Sequence, residues 1–327
     1  MTEPTTGPTA QADGITDEDR ALFQQAANEG MARWLGVLQE SCLESIILGR
    51  KFPLAEPEYN AKRPLALDAF EAALAGFKPE RAREIDALLA ARTVPEIREL
   101  MAGGRFSSVE LVTYCVDRIR RYDVDRLNSV IELNPEALSI AAQLDQEQAK
   151  GKVRGPLHGV PVLLKDNIAT GDRMHTTAGA YALRDWRADR DAFLVRKLRA
   201  AGAIILGKAN LSEWAKYTDP CMPNGFSVIG GQTRHPYGPY DPLGSSSGSA
   251  VSVAAGLAPV SVGSETSGLL VEPARASGVV ALRPSQGLIS RDHIVPLDAN
   301  FGCSWPDGPL GNRCGHPPDG DGRRRCQ

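Results

Sequence analysis

An apolar run that ends in a lysine constrains this chain more than any other stretch. Gly155-Pro156-Leu157-His158-Gly159 reads as a turn, and Val160-Pro161-Val162-Leu163-Leu164 reads as a buried strand, closed by Lys165-Asp166-Asn167-Ile168. The lysine is the unusual part. Lysine is rarely buried, and burial lowers its pKa by disfavouring the ammonium form. Held partly neutral at a strand end, Lys165 is a candidate general base. The competing reading is a side chain that snorkels to solvent.

Helices suited to covering such a strand come before it. Thr93-Val94-Pro95-Glu96 is a capping box whose helix stops at Gly103-Gly104. Ser107-Ser108-Val109-Glu110 is a second box, opening a helix through about Tyr122 with Val109, Val112, Val116 and Ile119 on its apolar face. A third helix is expected over 135–148. Further upstream, residues 17–92 read as a mainly helical N-terminal extension. Apolar residues recur at helical spacing around Trp34-Leu35 and from Leu65 to Phe77, without recognisable chemistry. Residues 1–16, rich in Thr, Pro, Gly and Ala, are expected to be disordered.

Beyond the lysine, a helix is expected over 192–201 and a strand over 203–206. Gly202 to Lys208 nearly matches a phosphate-binding loop. That reading is rejected, because Ala209 stands where a Mg²⁺-binding hydroxyl belongs and an apolar run separates the glycines. Asn210 followed by Glu213 is expected to cap the next helix. Residues 225–243, rich in Gly, Pro and Tyr, read as loop. They deliver Gly244-Ser245-Ser246-Ser247-Gly248-Ser249-Ala250 and the small apolar run 251–258. Serines there either cap a buried helix and face a ligand, or form a flexible linker; the apolar run favours the helix. The same stretch fits G-x-S-x-G, but Pro236 to Pro242 replace the strand that a nucleophile elbow requires. His293 is the only downstream histidine outside the unusual tail, so the elbow is set aside.

Composition narrows the function classes. The 327 residues carry a net charge of −3, with no cationic excess to suggest a nucleic-acid or acidic-membrane partner. No apolar window reaches about 18 residues and no basic start precedes an apolar segment, so the expected location is cytoplasmic, with no membrane partner. Cys42, Cys115 and Cys221 lie far apart, while Cys303, Cys314 and Cys326 crowd the end. Neither set has C-x-x-C spacing, which argues against zinc and a disulfide framework.

Taken together, the motifs resemble the amidase signature family. Lys165 ends a G-x-P-x-x-x-K-D-N strand, Ser245 to Ala250 match the family's Gly/Ser stretch, and Gly263-Ser264-Glu265-Thr266-Ser267-Gly268 lead into Pro273-Ala274. Met174 to Gly179 and Leu282 to Gly287 match as well, and the resemblance covers roughly 93–300, closest in flavour to peptide and small-carboxamide amidases. It implies a partial amidase domain over 93–301, a single α/β unit with a mixed sheet, and hydrolysis of a small-molecule amide without metal or other cofactor. It also implies a Ser–cis-Ser–Lys triad, with Lys165 as base and Ser245 as the serine that relays the proton. Backbone N–H groups from Thr266, Ser267 and Gly268 to position 269 would form the oxyanion hole. An amidotransferase subunit acting on charged tRNA also belongs to the family, but no feature of this sequence favours it.

Two departures stand out. The family's nucleophilic serine follows the T-x-G turn, and that position here is Leu269, whose side chain cannot attack a carbonyl. Ser267 lies two residues away, and displacement of even about 1 Å can cost on the order of 100-fold. After Phe301 the resemblance stops, and 302–327 read as an aberrant tail without regular structure. Codons allowed for Cys303 to Cys326, taken from their second base, can encode VRGPMARSVTDAAILLTAMAGVDA, a helical pattern that resembles the family's continuation. A one-base frame change near Gly302 is therefore expected. Three functions compete: an inactive or very weak amidase descendant, a binding pseudoenzyme, and a damaged gene product.

Overall fold

Capping decides where the helices begin. The computed structural model describes residue 25, residues 61–90, 92–219, 222–285 and 287–297, and the backbone of 305–311. All of these but Gln25 lie in one unit, Pro53–Gln327. A short 3₁₀ turn leads into α1 (Glu71–Gly76), and α2 (Pro79–Leu89) starts on a proline whose missing N–H would be unpaired anyway. Both capping boxes form, opening α3 (Val94–Ala102) and α4 (Ser108–Arg118). The helix expected through Tyr122 is α to Arg118 and stays helical beyond Tyr122, with its hydrogen bonding changed to the π type. Ile119–Leu127 continues as a π-type turn broken at Val124 and Asp125. Past the break, the buried Asp123 carboxylate accepts the Ser129 N–H at 2.8 Å, the Val130 N–H at 2.9 Å and the Ser129 hydroxyl, partners that replace helix bonds for this stretch of backbone. Trp34 and Leu35 lie outside the described residues.

A mixed sheet follows. Its strands are β1 (Val130–Leu133), β2 (Pro161–Lys165), β3 (Ile204–Ala209), β6 (Val260–Glu265) and β7 (Trp305–Gly311), in the spatial order β1-β3-β2-β6-β7. The central β3-β2-β6 pairings are parallel and the outer two antiparallel. Connecting helices are α5 (Ala137–Ala149) between β1 and β2, α6 (Phe193–Ala200) before β3, and α7 (Ser247–Ala254) before β6. The short α8 (Val271–Ser277) follows β6. Alternation along β2 sends Leu163 into a core with Val112, Val116, Leu144 and Leu206, and sends Val162 and Leu164 into another with Val195, Ile205, Val260 and Ile294. Both faces of β2 are buried, so Lys165 begins from inside the protein.

Three expectations change. The 225–243 loop contains a hairpin, β4 (Phe226–Ser227) with β5 (Gly231–Gln232). Asn210 caps no helix: its amide donates to the Asn128 and Gly231 carbonyls, each at 3.0 Å, while Glu213 accepts the Val228 N–H. The stretch 305–311, read as lacking regular structure, runs as a strand against β6, whose edge offers it unpaired backbone groups. Among the described residues, no helix is long and apolar enough to cross a membrane.

Candidate active site

Parallel pairing of β2 with β6 places Leu164 opposite Val262, which brings the next turn of β6 beside Lys165. The loop entering α7 closes the site from the other side. Lys165 is completely buried, so it does not snorkel. Its ammonium nitrogen donates to three hydroxyls: Ser245 Oγ at 2.6 Å, Ser264 Oγ at 2.9 Å and Ser246 Oγ at 3.1 Å. Three N–H bonds therefore meet three oxygen acceptors. The Gly244–Ser245 peptide is cis, at the serine for which the family resemblance implies that form.

The hydroxyls differ in what else they do. Ser246 Oγ donates to the Ser264 carbonyl at 3.1 Å and accepts the Ser264 N–H at 3.2 Å, clasping β6 to the start of α7. Ser264 Oγ also accepts from Asn167 Nδ2 at 3.0 Å. This close approach depends on glycine. A Cβ on Gly263 would stand 2.8 Å from Ser246 Oγ and 2.6 Å from Leu270 Cδ1.

Leu269 stands where the family resemblance implies the nucleophile, and it lines a pocket with Lys165, Asn167, Ser264, Thr266 and Trp214. The preceding turn passes through Gly268 at φ +81°, a left-handed conformation that suits glycine. Glu265, buried at the end of β6, accepts N–H groups from Leu269, Leu270 and Val271 at 3.1, 2.7 and 3.3 Å. The Leu269 carbonyl accepts the Ser246 N–H at 3.0 Å. Position 269 therefore has its N–H already committed, a correction to its expected part in an oxyanion hole. Thr266 lines the pocket, whereas Ser267 is exposed and does not line it.

A second buried lysine lies one strand away. Lys208 Nζ donates to the Ile168 carbonyl at 2.5 Å and to Thr176 Oγ1 at 3.0 Å. Burial lowers its pKa and the nearby Asp166 opposes the fall. Burial likewise pushes the Asp166 carboxyl up to about 6, against the field of Lys208 and the hydrogen bonds from Thr177. Only Lys165 of these two lysines reaches the serines. Sequence reasoning assigned no role to Asn167, Ser246 or Ser264. Asn167 and Ser246 stand beside Lys165 and Ser245 in the quoted motifs, and that adjacency was the available signal; Ser264 stands in a separate motif, 99 residues from Lys165.

Known proteins carry the same arrangement of chain. The family model described as Amidase matches residues 110–312, past the Phe301 boundary read from the sequence. The peptide amidase of Stenotrophomonas maltophilia superposes with a TM-score of 0.64 and is 48% identical, over 68% of this chain and 45% of that one. An amidase family protein of Bacillus anthracis superposes with a TM-score of 0.70 at 42% identity, over 75% of this chain and 49% of that one. A putative amidase of Schizosaccharomyces pombe is 44% identical over 205 residues, 62% of this chain and 35% of that protein. The chain thus spans less than half the length of these relatives. With the family model covering well over half of its residues, the chain belongs to the amidase signature family.

Proposed function

We propose that this chain holds the lysine–serine half of a carboxamide-hydrolysing site, silenced by leucine at position 269. The observation that carries the reading is Leu269 lining a pocket with Lys165 and Ser264, while Ser245 Oγ stands 2.6 Å from the Lys165 amine. In the active form of such a site, neutral Lys165 takes the Ser245 proton while Ser245 takes one from a hydroxyl at 269. That hydroxyl then attacks the amide carbonyl, the amine or ammonia leaves, and water releases the carboxylate. Ser245 can do this because one hydroxyl donates and accepts at once. Ala178, Leu211, Trp214 and Val295 to Leu297 give the pocket an apolar wall, which suits a small carboxamide with an apolar substituent. The test is Leu269→Ser, assayed for ammonia release from small carboxamides. Activity that appears with serine and disappears on adding Lys165→Ala supports the reading, and a silent Leu269→Ser protein that is folded contradicts it.

A second reading, a binding pseudoenzyme, draws on the same completeness of the Lys165 network without a nucleophile. Calorimetric titration with a small carboxamide that binds at 269-leucine and not after Lys165→Ala would favour it. The frame change near Gly302 remains a proposal about the gene, tested by the nucleotide sequence across codon 302.

A further inference from the structure

Of the three hydroxyls that hold Lys165, only Ser264 also lines the pocket. Proton accounting singles it out again. A neutral Lys165 keeps two N–H donors and gains a lone pair, toward which one of these three hydroxyls can turn its proton. Ser246 cannot supply that proton without giving up its bond to the Ser264 carbonyl. Ser245 and Ser264 are free of that cost, and of the two only Ser264 lines the pocket. Asn167 Nδ2, 3.0 Å from Ser264 Oγ, holds that hydroxyl from the other side.

We propose that Ser264 is a nucleophile in this chain, with Lys165 as its base, and that it accepts the acyl group of a small reactive ester. This rests on the Lys165 site described above but not on a serine at 269. The Ser264 Oγ–C bond forms as the Oγ proton passes to the neutral Lys165 amine. The ester C–O bond breaks, and the leaving oxygen departs with the electron pair. Water then attacks the acyl-serine, releasing the carboxylate and returning the proton to Ser264, while Lys165 gives up its extra proton to solvent. An ester is the expected class because a phenolate leaves without being protonated, whereas an amine needs a proton delivered from a geometry set for position 269.

The test uses the full chain and 4-nitrophenyl acetate, reading the nitrophenolate burst and locating the fast, stoichiometric acetyl group by peptide mass spectrometry. The expected result is acetylation of Ser264. Ser264→Ala removes the burst, Ser139→Ala at an exposed serine of α5 leaves it unchanged, and Lys165→Met slows it on the order of 100-fold, the scale of a lost general base. Fast acetyl on Ser267, Thr266 or Lys165, or no burst at all, overturns the proposal. If Ser264→Ala loses its cooperative thermal transition, the acetyl position in the unsubstituted chain decides alone. The outcome is separate from the carboxamide test: Leu269→Ser can regain hydrolysis while Ser264 stays unlabelled, and the reverse can also occur.

Discussion

The Glu265 carboxylate accepts the Leu269 N–H at 3.1 Å, and so fixes position 269 from within its own strand. The same carboxylate takes the Leu270 and Val271 N–H groups, which are orphan donors where α8 begins. The path of the turn is therefore set by Glu265 and by Gly268, whatever side chain 269 carries. On the proposed reading, a single substitution at 269 would therefore complete the carboxamide site, because the backbone there is already held by Glu265 and Gly268.

Removing that carboxylate should cost more than an ordinary core change. Glu265→Ala leaves three backbone donors to find new partners, and the expected loss is about 3 kcal/mol or more. Glu265→Gln keeps one acceptor oxygen and should lose less. Urea midpoints of the two variants check the order. Equal stability to the parent in both would show that water replaces Glu265 freely.

Gly248 is where α7 touches the rest of the sheet. A Cβ there would sit 2.4 Å from both the Asn210 and Ser129 carbonyl oxygens, which are backbone and cannot swing away. Gly248→Ala should destabilise by about 1–3 kcal/mol, despite the better helix propensity of alanine. It should also disturb the Ser245 and Ser246 contacts to Lys165. A thermal melt unchanged from the parent would refute the packing argument.

How much of this was legible in the sequence follows from how local each signal is. Thr93 with Glu96 and Ser107 with Glu110 are separated by three residues, so their capping boxes could be read directly and formed. Lys165 stood out because an apolar strand ended on a charge. Ser264 could not be assigned as its partner, because 99 residues separate the two and only the β2–β6 pairing joins them. Asn210 misled for the same reason: its N-cap pattern was local, but its Oδ1, the atom a cap would use, accepts the hydroxyl of Ser227, 17 residues away, and the neighbouring Leu211 N–H. After the break at Val124 and Asp125, Asp123 holds the chain through bonds from Ser129 and Val130, which no helical periodicity records.

Asp123 also gives a pH signature. Burial pushes its carboxyl from 3.8 up to about 6, the bonds from Ser129 and Val130 opposing the rise. Between those values the folded state holds a proton that the unfolded chain has lost. The group therefore favours folding most below about pH 4, and that contribution is lost as pH rises through 6. Relative to Asp123→Asn, whose side chain does not titrate there, the parent should gain stability as pH falls from 7 to 5. Denaturation midpoints at both pH values test the slope, and a difference independent of pH would contradict it.

The most direct measurement is ammonia release from a small carboxamide by the Leu269→Ser protein beside the parent chain. Loss of a serine nucleophile costs on the order of 10⁶-fold where triads have been dissected, so the parent should show no turnover above background. The serine variant should turn over, and adding Lys165→Met should reduce it by about 10²–10⁴-fold. Equal turnover by the parent, or a folded serine variant that stays silent, would contradict the account.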